Sequence, residues 1–256
     1  MKKNIIIANW KMNLGLAQTI SLTKDILNGL KKIKKDWSKI DIVLCPSFVY
    51  LSEVKKLIMK SNIELGAQDC FWEERGAYTG EISPAQLKEI GCRYLIIGHS
   101  ERRQNLNETD EMIHKKVKAA LESDLVPILC VGETFEERQR GVKDYVIINQ
   151  VSRALDGINL KANQQLIIAY EPVWVIGTGQ AVNPTEAEYV SRVILQRIID
   201  LYPLPIVRNN IRIIYGGSVD QTNVKNFVEQ ETVDGILVGG ASLKAAEFVA
   251  MINHLV

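Results

Sequence analysis

No stretch of the chain approaches the roughly 20 consecutive apolar residues that a membrane-spanning helix requires, so no membrane partner is implied. Cysteine is sparse. Cys45, Cys70, Cys92 and Cys130 show neither C-x-x-C spacing nor the density of a disulfide scaffold, which suits a reducing cytosol and a cytoplasmic protein. Histidine is sparser still: His99, His114 and His254 lie far apart, without H-E-x-x-H or another zinc spacing, so no metal is implied. The formal net charge is only +1, too little to recruit nucleic acid or anionic lipid, and any anionic ligand must be held by local groups. There is no Walker A motif. Gly177-Thr178-Gly179 lacks the third glycine of a dinucleotide fingerprint, since Val182 stands there, and Gly98-His99-Ser100-Glu101-Arg102 lacks the second glycine of a nucleophile elbow. No nucleotide or other cofactor is implied. Finally, no linker-like stretch or shift in composition divides the 256 residues, so one domain over 1–256 is expected. The first apolar run, 5–8, breaks at Asn9 and Lys11, too early for the core of an export signal, and reads as a strand.

What is present is a repeat. About every ~30 residues a short apolar run is followed by a polar turn and then an amphipathic helical pattern. Strands are expected at 5–8, 42–44, 63–66, 94–97, 126–131, 166–170, 211–215 and 235–238, with helices over stretches such as 18–32, 111–121, 145–155, 186–201 and 245–254. Eight strand–helix units in a chain of this length point to an α/β protein built as a single (β/α)8 barrel. A doubly wound sheet is the alternative, because counting strands does not establish closure. One connection is unusually long: 67–83 carries Phe71, Trp72 and Tyr78, and aromatics exposed on such a loop suggest cover by a partner subunit.

The C-terminal tips of the strands carry the chemistry. In α/β folds that end of the sheet is where ligands bind. The run 166–169 leads to Glu171, followed by Pro172, which restricts the backbone on both sides of the peptide bond, and by a glycine-containing flap to Val182. A carboxylate beside a closable flap is the layout of a general base shielded from water. The first strand ends in Asn9-Trp10-Lys11, where a lysine can supply fixed positive charge to an anionic intermediate. The fourth ends at His99, opening a helix whose N-terminus disfavours the imidazolium, so that a neutral ring can donate a hydrogen bond to a carbonyl oxygen. The seventh and eighth end in Gly216-Gly217-Ser218 and Gly239-Gly240, which expose backbone N–H groups as a phosphate cradle. Alone, each has a blander reading, as turn, loop or surface charge. In a closed barrel all five tips converge on one face.

Together, Asn9-Trp10-Lys11-Met12-Asn13, Gly98-His99-Ser100-Glu101-Arg102-Arg103, Ala169-Tyr170-Glu171-Pro172-Val173-Trp174 with Ile176-Gly177-Thr178-Gly179, Tyr215-Gly216-Gly217-Ser218-Val219 and Leu237-Val238-Gly239-Gly240-Ala241-Ser242 resemble the signatures of the triosephosphate isomerase family, in that family's order and over essentially the whole chain. The resemblance implies a TIM barrel that interconverts dihydroxyacetone phosphate and D-glyceraldehyde 3-phosphate through an enediolate, without metal or cofactor. It implies Glu171 as base, His99 as electrophile, Lys11 and Asn9 as stabilisers of the enediolate, and Glu101 as a further acid of the site. It also implies phosphate binding by Gly177, Ser218, Gly239 and Gly240 under a lid over 172–182. A homodimer would form through loop 67–83, with Thr79 near Asn9 and Lys11 of the partner subunit. The lid departs from the family pattern at Val175 and at Gln180-Ala181-Val182; branched residues there suggest an altered opening rate with the chemistry retained. Two other functions compete. A different phosphate-ligand barrel enzyme would share the glycine pairs but not the Lys11, His99 and Glu171 set, and a non-catalytic phosphate-binding or surface-interaction protein would not need that set intact.

Overall fold

A computed structural model describes residues 3–176 and 182–256. Among the described residues there are eight strands: β1 (Asn4–Asn9), β2 (Ile40–Cys45), β3 (Ile63–Ala67), β4 (Cys92–Ile97), β5 (Val126–Val131), β6 (Leu166–Tyr170), β7 (Ile211–Tyr215) and β8 (Gly235–Val238). Each pairs in parallel with the next, and β8 returns to β1 through Ile5↔Gly235 to Ala8↔Val238. The sheet is therefore a closed (β/α)8 barrel and not an open, doubly wound sheet.

The apolar runs form strands because both faces of each are buried. Successive side chains alternate: Ile5 and Ile7 join an inner cluster with Val43, Ile96, Ile128, Ala169 and Leu237, formed by strand residues alone. Ile6 and Ala8 point the other way, into the layer shared with helix residues such as Leu22, Ile26, Ile194 and Met251. The helices that cover the barrel include Leu16–Leu30, Asp110–Glu122, Lys143–Leu155, Pro184–Leu201 and Ala245–Leu255, each within two residues of its expected bounds at either end.

Loop 67–83 folds partly on itself. Phe71 stacks on Trp72 with ring centroids 4.0 Å apart and meets Tyr78 at 4.7 Å, while Phe71 N–H donates to the Ile82 carbonyl. Phe71 and Trp72 are half-buried, but Tyr78 stays 46% exposed. Nearby, Met12 and Val49 are also exposed, on loops tied together by the Ser47 hydroxyl donating to the Lys11 carbonyl. No helix among the described residues is long and apolar enough to cross a membrane.

Candidate active site

The tips of β1, β4, β6, β7 and β8 converge as expected on one mouth of the barrel. Asn9, Lys11, His99, Glu171, Ser218, Gly239 and Gly240 line a single cavity of about 330 Å³. Glu101 is not part of that lining; it reaches the site through Lys11, whose Nζ lies 2.5 Å from its carboxylate. Gly177 and the middle of the expected flap, 177–181, lie outside the described residues.

Lys11 is held in an unfavourable backbone conformation, with φ at +51°. A non-glycine residue there costs about 1–3 kcal/mol and persists only where its surroundings impose it. Three hydrogen bonds do so: Asn9 Oδ1 accepts from Lys11 N–H at 3.1 Å, and the Lys11 carbonyl accepts from the Ser47 hydroxyl and from Gln68 Nε2. Asn9 thus fixes the lysine as well as lining the cavity.

His99 is the N-cap of the helix Ser100–Asn105. Its Nδ1 accepts the backbone N–H of Glu101 at 3.2 Å, so that nitrogen carries a lone pair, and a neutral ring must hold its proton on Nε2. The helix N-terminus therefore acts on the ring through a direct hydrogen bond. Nε2 lies 3.2 Å from Glu171 Oε1, and Glu171 Oε2 accepts from Ser100 N–H at 3.0 Å. Both side chains are buried. The carboxylate is packed closely from below, where a Cβ on Gly216 would stand only 2.9 Å from Glu171 Cγ. Beside it, burial and then the Glu171 charge push the Cys130 thiol well above its ordinary range, so it stays a thiol.

At the far side of the cavity, Ser218 donates through its hydroxyl to the Val175 carbonyl at 3.1 Å, joining the β7 tip to the segment after Glu171. Gly240 opens a short 3-10 turn to Leu243 and has open space where a side chain would stand, which leaves its backbone accessible to an anion. Asp220 and Glu247 line the same cavity and were not foreseen. Each is engaged elsewhere: Asp220 accepts from the N–H and hydroxyl of Thr222, which lower its pKa, and Glu247 pairs with Lys244 at 2.8 Å.

The segment after Glu171 is seated on the β5 loop, another feature absent from the expectations. Glu133 is fully buried, and its carboxylate accepts from Trp174 Nε1 at 3.0 Å and from the Tyr170 hydroxyl at 3.3 Å. The Arg138 guanidinium lies over the Trp174 ring at 4.7 Å and pairs with Glu186 at 2.9 Å. Val175 and Val182, the branched residues at the two edges of the flap, are both buried. They anchor its ends in the core. Arg103, on the helix that His99 caps, donates to the carbonyls of Gly98 and Cys130 and so ties the β4 tip to β5.

Comparison with known proteins places this architecture. A family model described as triosephosphate isomerase matches residues 4–255. A triosephosphate isomerase of Dictyoglomus turgidum is 47% identical over 248 residues, covering 97% of this chain and 98% of that protein. Triosephosphate isomerases of Thermoanaerobacter sp. strain X514 and of Clostridium botulinum strain Langeland are each 45% identical over 254 residues, covering 99% of this chain and 100% of theirs.

Proposed function

The chain belongs to the triosephosphate isomerase family, and on that premise we propose how its barrel-mouth cavity interconverts dihydroxyacetone phosphate and D-glyceraldehyde 3-phosphate. Glu171 removes a proton from the carbon next to the carbonyl, leaving an enediolate. His99, neutral with its proton on Nε2, donates to the oxygen that gains charge and moves a proton between the two oxygens. Glu171 returns its proton to the neighbouring carbon, so atoms and charge balance without a cofactor. Lys11 and Asn9 stabilise the enediolate, and Glu101 sets the position of the Lys11 ammonium. The N–H groups of Gly239 and Gly240, with Ser218 and Gly177, hold the phosphate.

The observation that carries this reading is the His99 ring, with Nδ1 occupied by the Glu101 N–H and Nε2 3.2 Å from the Glu171 carboxylate. A positioned base contributes roughly 10²–10⁴-fold, and one oxyanion donor about 2.7–4 kcal/mol. Neither suffices alone, so base, donors and exclusion of water by the segment 172–182 act together. The phosphate, remote from the reacting carbons, supplies binding energy that is spent on closing that segment.

The same reading includes a homodimer through loop 67–83, with Thr79 near Asn9 and Lys11 of the partner subunit. Exposed Tyr78, Met12 and Val49 support it. It also includes a cytoplasmic location, supported by four buried, unpaired cysteines. A coupled isomerase assay on wild type and Glu171→Asp tests the core of the proposal. Shortening the side chain by one methylene is expected to lower kcat by about 10²-fold or more, because roughly an ångström of misplacement has that effect. A wild type without measurable activity, or an aspartate variant at the wild-type rate, would overturn it.

A further inference from the structure

The β5 strand ends at Val131, but its hydrogen-bond ladder to β6 continues. Glu171 N–H donates to the Val131 carbonyl at 2.7 Å, and Val173 N–H donates to the Glu133 carbonyl at 3.1 Å. Residues 131–133 therefore still support the β6 tip as a strand would. Along a strand, the N–H and C=O of one residue face one neighbour and those of the next residue face the other. With the carbonyls of Val131 and Glu133 turned to β6, both polar groups of the intervening Gly132 face the β4 side. β4 has already stopped: its last paired residue, Ile97, stands opposite Leu129. Gly132 is buried, so its N–H and carbonyl need partners that β4 does not provide.

Gln150, on the helix Lys143–Leu155, provides both. Its Oε1 accepts from Gly132 N–H at 2.8 Å, and its Nε2 donates to the Gly132 carbonyl at 3.1 Å. A carboxamide offers an acceptor and a donor side by side, as the C=O and N–H of one strand residue do. Gln150 thus substitutes for the missing strand residue. The clamp also reaches the reacting group, because Gly132 is pressed against Glu171: a Cβ on Gly132 would overlap the Glu171 carbonyl. We infer that Gln150 is a positioning residue for the isomerisation, pinning Gly132 so that the main chain of Glu171 holds its carboxylate over the substrate carbons. It touches no substrate atom, and the inference rests on Glu171 being the base.

Two variants of the full-length enzyme test it. Gln150→Leu keeps the bulk and removes both hydrogen bonds. Gln150→Glu keeps an acceptor, lacks the donor when ionised and regains it when protonated. For Gln150→Leu, kcat is expected to fall about 10–100-fold with KM within about threefold of wild type, since the phosphate cradle on β7 and β8 is untouched. For Gln150→Glu, kcat should approach wild type at acid pH and drop to the leucine level as the carboxyl ionises, a limb that wild type and the leucine variant lack. Wild-type kcat in the leucine variant, or a glutamate profile that parallels wild type, overturns the inference. Activity losses that merely track the folded fraction by circular dichroism overturn it as well. If the leucine variant does not fold, the glutamate profile decides by itself. An inactive wild type, or an unaffected Glu171→Asp, would instead remove the assignment of the base beneath it.

Discussion

Replacing Glu133 by leucine tests the grip of the barrel wall on the segment that follows Glu171. The buried carboxylate accepts from Trp174 Nε1 at 3.0 Å and from the Tyr170 hydroxyl at 3.3 Å, with the Arg138 guanidinium at 3.6 Å. Leucine leaves both donors without an acceptor, and each unsatisfied buried donor costs about 1–3 kcal/mol, so a rigid structure would lose about 2–6 kcal/mol. The structure need not stay rigid. Trp174 is only half-buried and can turn its N–H to water, which removes one penalty but moves the hinge three residues beyond Glu171. The expected outcome is a stability loss of about 1–3 kcal/mol, from the Tyr170 hydroxyl alone, read from urea unfolding at fixed protein concentration. With it comes a fall in kcat of about tenfold or more, as the frame of Glu171 shifts.

Glu133→Gln separates the acceptor from the charge. The amide oxygen can still take the Trp174 N–H, and Arg138 keeps its second partner, Glu186. This variant should keep most of the activity. Burial raises the Glu133 carboxyl above its ordinary range, so the folded protein holds that proton more tightly than the unfolded chain. The stability this contributes is complete below the unfolded pKa and lost as pH rises through the folded one, so the glutamine variant gains on wild type with rising pH. A leucine variant with wild-type unfolding and wild-type kcat would refute the idea that this carboxylate seats the hinge. Equal damage in both variants would place the effect in the charge and Arg138, not in the acceptor geometry.

Two further outcomes follow from the same structure. Asp69 is buried against Lys116 and Arg102, yet burial outweighs both cations and pushes its carboxyl from 3.8 up to about 6. The folded state then keeps a proton that the unfolded state releases, so a contribution of about 3 kcal/mol, complete below the unfolded pKa, is lost as pH rises towards 6; Asp69→Asn should flatten that part of the stability curve, and an unchanged curve sinks the assignment. In sedimentation the wild type should behave as two chains and Tyr78→Asp, at an exposed loop position, should shift towards one; a wild type that sediments as a single chain removes the proposed dimer.

Parallel strands buried on both faces are predominantly apolar runs, so the expected 126–131, 166–170 and, with Arg212 as its single charge, 211–215 coincide with β5, β6 and β7 residue for residue. The second strand was expected at 42–44 and runs from Ile40 to Cys45, because Asp41 interrupts the apolar pattern. Its charge is met across the barrel floor by Arg212 at 2.7 Å, a partner 171 positions away that no local pattern reveals. Closure is of the same kind. It depends on β8 finding β1, and nothing within either strand distinguishes that pairing from an open edge.

The site divides along the same line. Residues proposed to meet substrate stand at strand tips, where position in the repeat is itself a prediction, and Asn9, Lys11, His99 and Glu171 all line the cavity accordingly. The groups that hold them act from another unit. Gln150 occupies a half-buried position on an amphipathic helix and reads as solvated, and Glu133 reads as one more acid at a loop start. Their meaning appears only when β5 is seen beside β6. The tip of β5 contributes no side chain to the cavity lining, yet residues 131–133 receive the N–H groups of Glu171 and Val173 and the indole N–H of Trp174. Arg103 ties that tip to β4, and Gln150 takes up the N–H and C=O of Gly132. A base that must act within a fraction of an ångström needs a rigid support. In this barrel a unit that lines none of the cavity supplies it, so substitutions around the β5 tip should alter kcat while leaving the proposed phosphate binding on β7 and β8 unchanged.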